Sequence, residues 1–345
     1  MTRAKVVRFH QVGGSEVLQI EELPIAEPGP NEVRIKVEAI GLNRAENFYH
    51  EGLYLYQPKL PSGLGYEAAG IVEAVGSNVS DITVGDRVST IPAFSMTEYG
   101  VYGEYAIVPA YAVTHYPEEL SIEEAVSIWM QYITAYGALI HYGKLKQGDY
   151  ALFTAATGGL GVASIQIAKA VGAVSITTTR KQSKKSFLED LGADHVIVTE
   201  TEDMVSRVME ITNNHGADLI FDAVLGQQLQ ALAEVAAFGG QIIAYGIMAK
   251  DGLTNTPYPA LEAITKGLVI RGYTLFELTW SPKRFSKEQP FDPETFSQAK
   301  QFVFDGLKSG KLKPIIDRVF PFEQIIEAHD YVESGQQAGK VVVKL

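Results

Sequence analysis

Three glycines in the segment AATGGLG, Gly158, Gly159 and Gly161, lie between an apolar run, DYALFT, and a stretch with helical periodicity. A strand that turns into a helix through glycines lets a pyrophosphate reach the helix N-terminus. Unpaired N–H groups and the helix dipole favour negative charge there. Leu160 lends its backbone to the same turn. The spacing is not G-x-G-x-x-G, and a glycine turn without a ligand is the alternative reading of these residues alone. A β-branched run, Val174 to Thr179, follows at the distance of the next strand and leads into RKQSKK. An acidic residue at that strand end would accept from a ribose 2′-hydroxyl. Here Thr179 is followed by Arg180, Lys181, Lys184 and Lys185, four cations within six residues. Arg180 and Lys184 suit a 2′-phosphate. The alternative is a solvated helix start, but cations there oppose the dipole. These residues predict NADPH rather than NADH.

Those motifs need a scaffold, and the chain from Pro117 onward supplies one by alternating strand and helix patterns. Strands are expected at 150–154, 174–179, 195–198, 218–224, 241–245 and 269–274. Helices are expected at 159–171, 184–191, 204–211, 229–236 and 261–266. Six strands in βα alternation fit a doubly wound parallel sheet. The first ~125 residues instead carry short strands punctuated by Gly and Pro, a compact β sandwich or barrel. The close, VFPFEQIIEAHDYVESGQQAGKVVVKL, reads as strand, helix, turn and strand. Its last strand is expected to return to the N-terminal domain.

The 345 residues contain no cysteine. That excludes disulfides, Cys-based metal sites and a thiol nucleophile. The 7 histidines show no pair at metal-ligand spacing. Lys plus Arg number 29 and Asp plus Glu 41, a formal charge of −12 that argues against a nucleic-acid surface. No run approaches ~18 apolar residues, and no secretory leader is evident, so a cytoplasmic protein without a membrane partner is expected.

The order of a β-rich domain, LGYEAAGIVEAVGSNVSDITVGDRV, TAYGAL, AATGGLGVASIQIAKAVGA and AGKVVVKL resembles the medium-chain dehydrogenase/reductase superfamily. Within it the chain is most similar to the zinc-independent quinone oxidoreductase (zeta-crystallin-like) branch and related enoyl-thioester reductases. The resemblance spans essentially the whole chain. It implies an α/β protein with a GroES-like β-rich catalytic domain, residues 1–125 with 312–345, and a Rossmann domain over 126–311. It also implies a cleft between them. Zinc-dependent relatives carry a GHE motif, and here it reads Gly65, Tyr66, Glu67. Their first Cys falls in the segment that here reads GLNRAEN, with Asn43 near the place. No catalytic metal is therefore expected.

The resemblance also suggests roles. Asn43 could donate to a substrate carbonyl, and Tyr54, in EGLYLY, matches a nicotinamide-pocket tyrosine that is the proton donor in enoyl-thioester reductases. Tyr66 should face substrate, as should Gln131 in WMQYIT. Thr134 would contact the nicotinamide. The bland readings are a cap for Asn43, a loop aromatic for Tyr54 and a space filler for Tyr66. Tyr245, Gly246, Thr274 and Leu275 end the fifth and sixth strands, where such sheets bind ligand. Thr199, after the third strand, would reach the adenosine side. A polar segment at 280–290 carries Lys283, Arg284 and Lys287, an expected mouth for an anionic acyl carrier. A solvated excursion is the alternative.

The expected activity is hydride transfer from NADPH to a quinone or activated alkene. Reduction of an enoyl-CoA or enoyl-carrier-protein thioester with Tyr54 as proton donor is the second reading. An NADPH-binding structural or sensing protein is the third. A homodimer is expected, because the sixth strand, LVIRGYTL, would leave an open sheet edge.

Overall fold

The computed structural model describes residues 2–279 and 292–345. The described residues group into two units, one from 2–130, 278–279, 292–308 and 313–345, the other from 131–277 with 309–312. The 280–290 segment lies outside the described residues.

The first unit is β-rich. Strands β1 (Arg3–Arg8) and β2 (Gln19–Pro24) form an antiparallel pair. Strands β3 (Glu32–Leu42), β4 (Glu67–Val75), β5 (Arg87–Thr90), β6 (Tyr105–Pro109) and β7 (Val113–His115) belong to a larger sheet. Val33, Ile35 and Val37 of β3 are buried at every second position, as a strand with one core face requires. Beyond Ala39 the alternation ends. Ala39 to Leu42 are buried without a break, as in a strand covered on both faces.

The second unit is the expected doubly wound sheet. Strands β8 (Tyr150–Phe153), β9 (Val174–Thr179), β10 (His195–Val198), β11 (Ala217–Asp222), β12 (Ala236–Ala244) and β13 (Val269–Gly272) run in the order β10-β9-β8-β11-β12-β13. Every pairing is parallel. Leu152, Ile176, Ile197, Ile220 and Ile242, one from each of five strands, are fully buried in a single core. Strand β13 lies at the edge.

The chain then returns to the first unit as β14 (Ile316–Pro321) and β15 (Lys340–Lys344). Strand β15 pairs antiparallel with β3, so the last strand does complete the N-terminal sheet. The boundary differs from the expected one. Residues 278–279 and 292–308, including the helix Pro293–Lys308, group with the β-rich unit. Leu278 and Thr279 are buried, and the Thr279 hydroxyl donates to the Pro92 carbonyl at 2.8 Å, which anchors the segment. Two local details also differ. A helix forms at Arg44–His50 where no element was expected, and Ala236 opens β12 rather than closing the helix before it. Among the described residues, no helix is long and apolar enough to cross a membrane.

A buried polar network joins the termini of the first unit. Lys340 of β15 and Glu67 of β4 are 3% and 1% exposed and form an ion pair. Asn43 links them: Nδ2 donates to Glu67 Oε2 at 3.0 Å, and Oδ1 accepts from Lys340 Nζ. Glu46, fully buried, receives the Asn43 backbone N–H at 2.9 Å. One lysine offsets one carboxylate, so the second is better neutral. Burial pushes the Glu46 carboxyl up to about 7, and the neighbouring Glu67 charge adds to the rise, while Lys340 and Asn43 oppose it.

The sign of the pH effect follows. Below its ordinary value of 4.5, Glu46 is protonated in both folded and unfolded chains. Between there and about 7 the folded chain keeps a proton that the unfolded chain has lost, so this stabilisation disappears as pH rises. Denaturant unfolding of the wild type should show stability declining over that interval. Glu46→Gln, which keeps the shape and cannot ionise, should flatten the decline; an unchanged slope would show that Glu46 does not hold the proton.

Candidate functional site

The glycine turn is built as its residues suggest. Strand β8 ends at Phe153, and a helix spans Gly159–Val171 with Gly158 at its N-cap. A Cβ on Gly161 would lie 2.0 Å from the Ala156 carbonyl oxygen, so only glycine lets the helix start pack this closely on the turn. A Cβ on Gly158 would meet nothing within 4 Å. The turn therefore offers an open, backbone-lined helix N-terminus, a geometry that favours an anion.

The basic run lies against this turn. Lys184 Nζ donates to the Thr157 hydroxyl at 3.3 Å, bringing its charge beside the glycines. Arg180 is exposed just beyond β9. The Thr199 N–H donates to the Thr179 carbonyl at 2.9 Å, so Thr199, Thr179 and Arg180 come together at adjoining strand ends. Lys185 has an ordinary role in its helix, paired with Glu189 at 4.0 Å.

Tyr245 and Gly246 follow the C-terminus of β12, and Thr274 and Leu275 follow that of β13. The Tyr245 N–H donates to the Asp222 carbonyl at 2.9 Å, and its ring packs on Phe221 with centroids 4.1 Å apart. A Cβ on Gly246 would come within 2.9 Å of the Ala223 carbonyl oxygen. Beneath them, buried Asp222 accepts from the Thr154 hydroxyl at 2.6 Å and from the Leu225 N–H at 2.8 Å. These bonds tie the ends of β8 and β11 together. Gln131 and Thr134 are buried on the helix Trp129–Tyr136.

The first unit gathers hydroxyls. Tyr66 is fully buried at the start of β4, preceded by Gly65 at φ 102°. A Cβ on Gly65 would fall 2.1 Å from the Tyr102 ring, which restricts this turn to glycine. Tyr66 is held through its backbone: its N–H donates to Glu46 Oε1 at 3.3 Å, and its carbonyl accepts from Thr90 at 2.7 Å. The Tyr66 hydroxyl donates to that of Tyr54 at 3.2 Å and makes a short hydrogen bond with that of Tyr56. Tyr56 in turn accepts from the Met96 N–H at 3.0 Å. Tyr49, Tyr54 and Tyr56 pack edge-on, with Tyr54 and Tyr56 centroids 5.1 Å apart.

Tyr54 and Tyr66, both expected at the site, are thus in hydrogen-bond contact. Tyr56 was not anticipated, although EGLYLY places it two residues after Tyr54. The expectation for Asn43 needs correction. Its two amide hydrogens are directed at Glu46 Oε1, at 3.3 Å, and Glu67 Oε2, at 3.0 Å. With no amide hydrogen left for a substrate carbonyl, Asn43 is a bracket within the buried network. Lys283, Arg284 and Lys287 lie outside the described residues.

Alanine at the two glycines should separate binding from folding. Gly158→Ala should leave the melting temperature unchanged and weaken dinucleotide affinity about tenfold or more, ~1.4 kcal/mol. Gly161→Ala should lower both. Equal dinucleotide affinity for Gly158→Ala and wild type, by calorimetry, would place the pyrophosphate elsewhere.

Two family models match, "Alcohol dehydrogenase GroES-like domain" over residues 29–118 and "Zinc-binding dehydrogenase" over 191–343. Zinc does not suit the residues present. The chain lacks cysteine, and Tyr66 offers a phenol committed to other phenols where the zinc relatives have histidine. Glu67 is engaged at both oxygens, by Met130 N–H and by Asn43 and Lys340. No group of three or more His, Cys, Asp or Glu lies together among the described residues. A nicotinamide dinucleotide does suit the open turn at Gly158. The chain is 31% identical to a quinone oxidoreductase of Homo sapiens, over 99% of this chain and 98% of that one. It is 29% identical to a 2-haloacrylate reductase of a Burkholderia species, over 99% of each. The crystal structure of an Escherichia coli quinone oxidoreductase complexed with NADPH aligns with a TM-score of 0.87 at 28% identity, covering 99% of this chain and 100% of that one. Whole-chain similarity at this level, the sheet order and the glycine turn place the chain in the medium-chain dehydrogenase/reductase superfamily, among the zinc-independent oxidoreductases of the quinone oxidoreductase branch.

Proposed function

We propose that this oxidoreductase uses NADPH to reduce an activated alkene or a quinone, with Tyr54 as the group that holds a proton for the acceptor. The observation that carries the reading is the Tyr54 hydroxyl, hydrogen-bonded to a buried phenol, where the described residues gather no metal-ligating set. The bound nicotinamide supplies hydride. The chain's own residues bind and polarise. The helix start at Gly158 takes the pyrophosphate, and Arg180 with Lys184 takes the 2′-phosphate, which favours NADPH over NADH. Thr199 and Thr179 border the adenosine side. Thr134, Tyr245, Gly246, Thr274 and Leu275 border the nicotinamide, and Gln131 faces the acceptor.

An alkene conjugated to a carbonyl gains hydride at the β-carbon and needs a proton at the α-carbon. A neutral phenol beside it can supply that proton. The name of the Burkholderia relative supports an activated alkene, and the names of the human and E. coli relatives support a quinone. The assay is acceptor-dependent NADPH oxidation with an ortho-quinone and with crotonyl-CoA. Tyr54→Phe should abolish alkene turnover and spare most quinone turnover, which needs no carbon protonation. Equal use of NADH would remove the role given to Arg180 and Lys184. Tight NADPH binding with no acceptor across a wide panel would replace catalysis by a binding role.

The same reading includes a homodimer. Strand β13 is an open edge with Val269 51% exposed, and nearby chain segments expose Phe238, Leu261 and Ile264. An edge strand with apolar neighbours is suited to pairing with its own copy across a two-fold axis. Light scattering should give twice 37.6 kDa. Val269→Lys should shift it to the monomer value, and a monomeric wild type would refute the pairing.

A further inference from the structure

The tyrosine cluster has a direction. A phenol carries one proton, so it donates one hydrogen bond while accepting others. The Tyr66 proton is committed to the Tyr54 oxygen at 3.2 Å. Either phenol can donate in the short bond between Tyr56 and Tyr66, and with the Tyr66 proton directed at Tyr54 the donor is Tyr56. The Tyr56 oxygen, having given its proton inward, accepts the Met96 backbone N–H at 3.0 Å. The result is one chain of donation: Met96 N–H to Tyr56, Tyr56 to Tyr66, Tyr66 to Tyr54. Every dipole points the same way, and each bond polarises the next.

We propose that Tyr66 and Tyr56 are positioning residues that acidify Tyr54 by donating toward its oxygen. This deepens the reading of Tyr54 as proton donor and rests on it. During alkene reduction, hydride from the reduced nicotinamide forms the C–H bond at the β-carbon. The Tyr54 O–H bond breaks, and its proton forms the C–H bond at the α-carbon. The alkene becomes saturated, the nicotinamide is oxidised, and Tyr54 is left as a phenolate that regains its proton from water. The Tyr66 hydrogen bond strengthens as that negative charge appears, because a bond to an ionised acceptor is about twice as strong as a neutral one. The donor is already in place, so little reorganisation is required.

The geometry supports a fixed donor. Tyr66 is fully buried, its ring lies 5.7 Å from that of Phe94, and its backbone is tied to Glu46 and Thr90. Phenylalanine in its place would keep the ring packing and remove only the hydroxyl. The side chain that replaces a zinc-ligand histidine in the resembling family thus has a use of its own: a hydrogen-bond donor instead of a Lewis acid.

The test compares Tyr66→Phe, Tyr56→Phe and Tyr54→Phe with wild type, using crotonyl-CoA and an ortho-quinone. Tyr66→Phe should lower kcat for the alkene about tenfold, leave its KM within about threefold, and change quinone turnover less than about twofold. The alkaline limb of the alkene pH profile should move upward, and Tyr56→Phe should show a smaller shift in the same direction. Equal losses with both acceptors, or an unmoved alkaline limb, would reduce Tyr66 to packing and overturn the proposal. A second readout needs no acceptor. Absorbance titration of tyrosinate in wild type minus Tyr54→Phe gives the Tyr54 midpoint, and that midpoint should rise when the subtraction is repeated in the Tyr66→Phe background. An unchanged midpoint would overturn the proposal. Full alkene turnover in Tyr54→Phe would instead refute the underlying reading of Tyr54, whatever Tyr66→Phe shows.

Discussion

Two carboxylates and one lysine lie buried together where the C-terminal strand meets the N-terminal sheet, and the rest of the first unit is arranged around keeping them satisfied. Lys340 pairs with Glu67, Asn43 bridges the pair, and Glu46 sits beside it as the second acid. Removing one partner of a buried ion pair costs about 3–5 kcal/mol, whereas replacing the whole group with apolar side chains is often neutral. The gain from such a network is therefore placement more than stability. Glu46 accepts the Tyr66 N–H, and Glu67 accepts the Met130 N–H. The network holds the backbone from which the buried phenol projects, and it cannot form until residue 340 has joined strands from the first quarter of the chain.

Charge is used differently in the two units. In the β-rich unit the buried charges are paired and fixed. In the doubly wound unit the basic run after β9 is mostly at the surface and opposes a chain total of −12. Lys184 reaches back to Thr157, so one cation stands beside the helix start that already favours anions. The glycines do not create that attraction. They remove the side chains that would keep a phosphate away from it, and Gly161 also permits the helix to approach the turn. Strand, turn and basic run are close in sequence, so one βαβ segment brings them together.

Much of the architecture is legible in local patterns. The six parallel strands follow from alternating apolar strands and periodic helices, and their order agrees with the doubly wound reading. The return of the last strand follows from a surplus strand that the sheet does not need. The glycine turn and the Arg180–Lys184 run announce themselves by residue type. The misses are equally physical. The helix Arg44–His50 is only seven residues long, too short for periodicity to reveal, although Asn43 and Glu46 carry the spacing of a capping box. The stretch after Leu275 reads as a loop and then a helix that close the α/β domain, whereas Leu278, Thr279 and the helix Pro293–Lys308 group with the β-rich unit, with Thr279 seated on Pro92.

The sequence by itself determined the class of chemistry. The absence of cysteine and the tyrosine in place of a histidine argued against zinc, and the glycine turn indicated a dinucleotide. Such conclusions depend on which side chains exist and on neighbours within a few dozen residues. Tertiary structure decided what each polar group is occupied with. Asn43 read as a substrate donor until Glu46, Glu67 and Lys340 were seen to use its amide. Tyr56 was one of 17 tyrosines until its hydroxyl met that of Tyr66. A hydrogen bond has a direction and a limited number of protons, and those are settled only when residues as distant as 43 and 340, or 56 and 96, share one site.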